Sequence, residues 1–370
     1  MRAALAAVVV ALVACAPPGP LAQRSPSPRP SASGDVRAFI PVAEKFVEQH
    51  RGLKFKRPVK VTFLSDADFR TRVTMRTDKD RSDLNIEFKD LRAMHLVPAS
   101  LDIVKAEDEL LGAGVVGFYD PNTKELVVRG TDASASTRHV LVHELTHALQ
   151  DQYFPLNALD NDNDDERPTA WRALIEGDAV RVENAYIATL SAADKRQLNS
   201  GGGGPPPADI PTVMIELLAF PYSVGPRFVD AVMAARGGNA GLDTAFAAPP
   251  KTTAEVITPD RFLAGFTPLD VPAPPADGTQ FDHGMLGEMG LTLLLERLTP
   301  RPLTTADVRD LGQGWDGDRY VAWESGAKSC LRAAFAEDTQ AHTAKLASAL
   351  GAIQGATVTG NGPVTVTICG

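Results

Sequence analysis

Residues 137–154 constrain the fold more than any other stretch of this 370-residue chain. Their spacing predicts one helix, stopped by Pro155, with Val140, Leu141, Val142, Leu145, Ala148 and Leu149 making it apolar on most sides. Such a helix has to be buried, yet it also carries His143, Glu144 and His147. Buried imidazole and carboxylate groups need partners. Two histidines at i and i+4 lie one above the other on a helix face, where they can be two ligands of one tetrahedral ion. This H-E-x-x-H spacing predicts a zinc site holding one ion, with Glu144 beside it as a general base and not as a ligand. His139 shares the face of His143 but stands eight residues before His147, about 12 Å along a helix axis. It is read as a helix-start residue or as the partner of a ligand.

A third protein ligand is needed. An H-E-x-x-H-x-x-G-x-x-H continuation is absent, because Gln150 and Tyr153 occupy the glycine and final histidine positions. The next strong helical repeat, over 169–190, carries Glu176 among apolar neighbours. The 28 residues between His147 and Glu176 allow a loop and an antiparallel return, so Glu176 is the expected third ligand. Asp178 and Glu183 are both candidates to accept the free ring N–H of a ligand histidine. Tyr222, in the segment 220–226, and His283, in the segment 281–285, are each read at the start of an element. They are the candidates to stabilise an oxyanion and so to complete a catalytic set with Glu144.

The chain's N-terminus speaks to location. After Met1-Arg2, the run Ala3–Val13 holds 11 uncharged residues, too few to span about 30 Å of hydrocarbon but of signal-peptide proportions. It ends in Leu12-Val13-Ala14-Cys15, which resembles a bacterial lipobox. Residues 1–14 are therefore expected to be removed and Cys15 to carry a lipid. The chain is expected to be exported and anchored on the extracytoplasmic side of the cell membrane, or secreted if it is not lipidated. Residues 15–34, rich in Pro and Ser, read as a tether. In an oxidising compartment the remaining pair, Cys330 and Cys369, reads as a disulfide. Acidic residues outnumber basic ones, 46 to 37, without a basic run, which excludes nucleic acid as a partner.

Elsewhere, helices are expected over 36–50, 101–111, 211–220, 226–236 and 284–297, and a strand over 59–64. Val115–Tyr119 and Leu126–Arg129 flank the turn-forming Asp120-Pro121-Asn122-Thr123 and read as a hairpin. The acidic run 161–166 reads as a solvated loop, with calcium binding as the alternative. Gly201–Pro207 reads as a break in structure.

Three segments carry a resemblance: His143–Gln152 (HELTHALQDQ), Gly117–Gly130 (GFYDPNTKELVVRG) and Ala173–Ala179 (ALIEGDA). With Phe220–Val229, Ala248–Phe262 and Gly314–Tyr320, they resemble a group of exported bacterial metallopeptidases of gluzincin type, over about residues 35 to 350. Thr258 departs from that pattern, which has a histidine there. The resemblance implies an α+β, zincin-like core with a small N-terminal sheet and a mostly helical second half. It implies that an edge strand beside the active-site helix pairs with extended substrate, and Leu126–Arg129 is the candidate by chain order. Residues 35–300 would form the catalytic domain and 301–370 a C-terminal segment held by the disulfide. The implied activity is zinc-dependent hydrolysis of a peptide or protein substrate, with His143, His147 and Glu176 as ligands and Glu144 as base. The alternative is a catalytically silent zinc-containing binding or scaffolding lipoprotein. The intact Glu144 favours the enzyme, since a binder has no need of a base beside the metal.

Overall fold

The computed structural model describes residues 9–12, 34–160, 166–201, 209–298 and 303–370. Cys15, the rest of the leader and the tether, the acidic run 161–165 and most of the Gly/Pro break lie outside them. The chain is α+β. After β1 (Val9–Leu12) come α1 (Ile40–Arg51), β2 (Lys60–Leu64), α2 (Asp66–Val73), α3 (Asp78–Ala93) and α4 (Ile103–Gly114). The hairpin β3 (Val115–Asp120) and β4 (Glu125–Arg129) leads into α5 (Ala135–Asp151). Six helices follow: α6 (Glu166–Thr189), α7 (Ala192–Gly201), α8 (Thr212–Arg236), α9 (Asn239–Ala247), α10 (Thr253–Ile257) and α11 (Pro259–Ala264). The last part holds β5 (Thr279–Gly284), α12 (Gly287–Leu298), α13 (Thr305–Gly314), β6 (Trp315–Ser325) and β7 (Lys328–Glu337), then α14 (Gln340–Gly351), β8 (Thr357–Thr359) and β9 (Val364–Cys369).

The first sheet has the order β1-β3-β4-β2. Its hairpin turns where the sequence reading put it, because the Asp120 carboxylate accepts the backbone N–H groups of Asn122 and Thr123. Leu126–Arg129 is not an edge strand, however. β2 pairs with β4 in parallel, Lys60 opposite Glu125 through Leu64 opposite Arg129, and β3 covers the other side. The strand that leans on α5 is β3. Gly117 permits this closeness, since a Cβ there would lie 3.1 Å from Val140 and 3.2 Å from the Val127 carbonyl. Apolar residues of α1, α5, α6 and this sheet form one core, including Val47, Leu126, Leu141, Leu145 and Val182.

The second half is largely helical, as expected, but the sequence reading missed a sheet in it. It carries a five-stranded antiparallel sheet in the order β5-β6-β7-β9-β8. The long β6–β7 hairpin turns on Gly326-Ala327, with Gly326 at φ 62, and its buried residues seat α12, α13 and α14. β5 precedes residue 300 and pairs with β6 beyond it, so the expected domain boundary at 300 cuts through a sheet. Cys330 and Cys369 stand opposite each other on β7 and β9 and form the disulfide.

α8 is also a correction, since two helices were expected over its length. It runs unbroken through Pro221 and Pro226. Each proline deletes a helical N–H, and the helix survives because it packs tightly on α6. The crossing point is a glycine pair. A Cβ on Gly177 would lie 2.3 Å from the Gly225 carbonyl oxygen, and one on Gly225 2.2 Å from that of Ala173.

Candidate metal centre

α5 is buried along nearly its whole length, including His139, His143, Glu144 and His147. Ser134 caps it by accepting the Thr137 N–H. α6 packs beside it and brings in Glu176, which is 1% exposed. Nε2 of His143 and Oε2 of Glu176 are 3.1 Å apart. Nε2 of His147 lies 2.9 Å from Nε2 of His143 and 3.4 Å from the same carboxylate oxygen. Three potential ligand atoms from two helices thus converge on one point. Bonds near 2.0–2.1 Å at tetrahedral angles would separate ligand atoms by about 3.3 Å, so the spacing suits one small ion.

The remaining ring nitrogens fix the tautomers. Nδ1 of His143 donates to Glu183, 2.8 Å away. Nδ1 of His147 donates to Oε1 of Gln150, 2.9 Å away. Gln150 cannot be turned round, because its amide N–H groups donate to the Ile175 carbonyl and to Asp178. Both Nε2 atoms are therefore left to face the Glu176 carboxylate. One positive charge has to sit among these three atoms, either a proton on His143 or a metal ion. Burial works against a charged His143, yet its hydrogen bonds to Glu176 and Glu183 prevail and raise its pKa well above the ordinary value. Burial lowers the pKa of His147. Burial would raise Glu176, but the imidazoles of His147 and His143 draw it down to about 2.

The two candidate acceptors on α6 have different duties. Glu183 takes His143 directly and His139 on its other oxygen, at 2.6 Å. His139 is thus the partner of a partner. Asp178 acts one step further out: it holds Gln150, which holds His147, and is itself paired with the buried Arg51 at 2.6 Å and with Arg181 at 2.9 Å. Gln150, three residues after His147 on one helix face, was the signal from which this chain of contacts could have been read. Arg51, which joins α1 to α6, carries no local signal of its role.

Glu144 stands outside the ligand group. Its Oε2 accepts the backbone N–H of Tyr119 on β3 at 2.8 Å, and its charge reaches both His143 and Tyr222. Tyr222 comes from α8 and stacks on His143, with ring centroids 6.2 Å apart. Its hydroxyl bonds to Glu176. Burial, then the charges of Glu176 and Glu144, raise the Tyr222 pKa well above 10, so it remains a donor at neutral pH. The Gly177–Gly225 crossing lies one residue from Glu176 and three from Tyr222, and it sets their approach.

His283 is placed elsewhere. It is exposed on β5, opposite Val321 in the second sheet, and not at an element start beside the ligands. Thr258 joins α10 to α11. Glu166, the last residue of the acidic run, is buried and accepts the N–H and hydroxyl of Thr253. Among the described residues no helix is long and apolar enough to cross a membrane. Comparison of the chain with family models, curated proteins and solved structures found no match.

Proposed function

We propose that the chain is a zinc-dependent metallopeptidase of gluzincin type. In this reading it is exported and tethered through a lipid on Cys15 to the extracytoplasmic face of a membrane. The observation that carries the reading is the convergence of His143, His147 and Glu176, with Glu144 beside them and not among them. What a zinc ion supplies when bound is Lewis-acid polarisation of a carbonyl and acidification of water near neutral pH. His143, His147 and Glu176 would hold it, and Glu183 and Gln150 keep the imidazoles in the ligating tautomer. Glu144 takes the proton of the attacking water and passes it to the leaving amine. The Tyr222 hydroxyl donates to the oxygen on which negative charge develops. β3 is the strand to receive an extended peptide backbone. β1 pairs along its outer side, and loss of residues 1–14 would uncover that edge next to Glu144.

The test has two parts. Elemental analysis should find one zinc per chain in both the wild type and Glu144→Gln. A peptide library should be cleaved by the wild type, with the variant slower by at least 100-fold. Zinc without cleavage by either form would leave a zinc-binding scaffold, and a chain without metal would end both readings.

A further inference from the structure

A second site lies on the opposite face of α8 from Tyr222. There α8, α12 and α13 flank a half-open cavity of about 430 Å³, with Leu217, Phe220, Val224 and Val308 among its walls. That volume falls within the range of small-ligand pockets. One acidic side chain sits in this apolar lining. Glu288, in the first turn of α12, is 3% exposed, and its Oε2 has no hydrogen-bond partner. A buried carboxyl oxygen without a donor is costly, and a ligand that brings a donor removes the cost.

The charges around the cavity indicate the sign of that donor. Three carboxyl groups line it, Glu216, Glu288 and Glu296, against one guanidinium, Arg309. Glu216 is bonded to Arg297 outside the cavity. Burial and then the charge of Glu216 raise the pKa of Glu296, so the two rim carboxylates repel each other. Behind Glu288 stands a further carboxyl group, Glu337. Arg261, the nearest opposing charge, already donates to the carbonyls of Trp315 and Gln313. Burial and Glu337 together push Glu288 up to about 8 against the pull of Arg261. Nearby positive charge would relieve both the rim and the floor.

We propose that this cavity is a binding site for a small amphiphilic cation, an alkyl or aryl ammonium. Its apolar body would fill the pocket and its N–H groups would bond to the Glu288 carboxyl, whose buried Oε2 would turn to meet them. The site is separate from the metal centre and does not depend on the peptidase reading. Glu288 would become ionised on binding, because the ligand supplies the charge that burial denies it.

Isothermal titration calorimetry at pH 7 with hexylammonium, hexan-1-ol and hexanoate tests this on the whole chain. Hexylammonium should bind one per chain, with the alcohol and the acid at least tenfold weaker. Glu288→Gln should weaken hexylammonium at least tenfold. Ser223→Trp, a plug at an exposed position on the rim, should abolish binding without touching the core. Affinity should be the same in zinc-loaded and chelator-treated protein. Equal binding of alcohol and ammonium, no binding at all, or binding lost on chelation would each overturn the proposal. The wild-type ligand series decides the outcome even if Glu288→Gln fails to fold.

Discussion

Buried carboxyl groups behave in opposite ways in the two halves of this molecule. At the metal centre, Glu176 and Glu183 are held down to about 2. Around the second sheet, Glu288 and Glu337 are pushed up to about 8. Burial opposes the charge in all four. What differs is the company: Glu176 and Glu183 hydrogen-bond to imidazoles on α5, whereas neither oxygen of Glu337 and not Oε2 of Glu288 has a hydrogen-bond partner. The nearby His342 lowers Glu337 by its charge alone, against burial and Asp338. Asp318 is the case between. It accepts N–H groups from Leu286, Gly287 and Trp315, and burial still raises it to about 6, because neutral donors compensate desolvation less than charges do. A carboxylate matched to cationic or metal-binding partners is part of a built site. One left unmatched is a group in need of a proton or a ligand.

The largest effects should come from removing members of the matched set. If the centre holds zinc as proposed, Glu176→Ala takes away a ligand and leaves two imidazoles facing a void, and zinc affinity should fall by more than 100-fold. Glu183→Ala frees the His143 ring and should cost about 10–100-fold, the usual range for an acceptor behind a ligand. His139→Ala should alter affinity by less than threefold, since Glu183 keeps its bond to His143. Competition with a chromogenic chelator measures all three. If Glu176→Ala and His139→Ala had equal effects, the centre would not be built on Glu176.

The matching depends on how closely α8 approaches α6. Gly177→Ala would drive a methyl group into the backbone of Gly225, where nothing flexible can give way. The helices must part, and with them Tyr222 and Glu176. We expect a loss of roughly 2–4 kcal/mol in urea unfolding. The proposed peptidase turnover should fall even at temperatures where the variant is folded. Full stability in Gly177→Ala would mean that the crossing is softer than its contacts show.

The matched half was also the more legible half in the sequence. A period of 3.6 with two histidines and a glutamate on a buried helix is a local pattern, and Glu176 stood out as an acid among apolar residues. The choice between Glu183 and Asp178 was not local. It depends on the register of α6 against α5, which sets Glu183 under His143 and Asp178 beside Gln150. The edge-strand assignment to Leu126–Arg129 failed for a similar reason, because the parallel pairing of β2 with β4 joins segments about sixty residues apart. Apart from 364–369, which reads as a strand, the second sheet was overlooked although Gly326-Ala327 is a hairpin signal. β6 is buried over most of its length and β7 is rich in alanine, so polar alternation is weak in both, and a bulge near Trp315 interrupts the pattern further. His283 was a candidate because its segment reads as the start of an element, whereas it lies inside β5 and is exposed.

The smallest effects should separate the two halves by pH. Glu288 and Glu337 have folded values above their ordinary ones, so the folded state binds more protons than the unfolded state between about 4.5 and 8. Their effect is that stability declines as pH rises through that window and levels off above it. Glu176 and Glu183 have the opposite sign, with stability present above about 4.5 and lost as pH falls towards 2. The two windows do not overlap, so substitutions can read them apart. Glu337→Gln imitates the protonated acid: it should leave unfolding free energy unchanged at pH 5 and raise it by roughly 1–2 kcal/mol at pH 8. Glu288→Gln should do the same in the absence of an ammonium ligand. Comparing each variant with the wild type at the same pH cancels any change in metal binding common to both. If the gain at pH 8 is absent, these carboxyl groups have partners after all, and the contrast between the two halves falls.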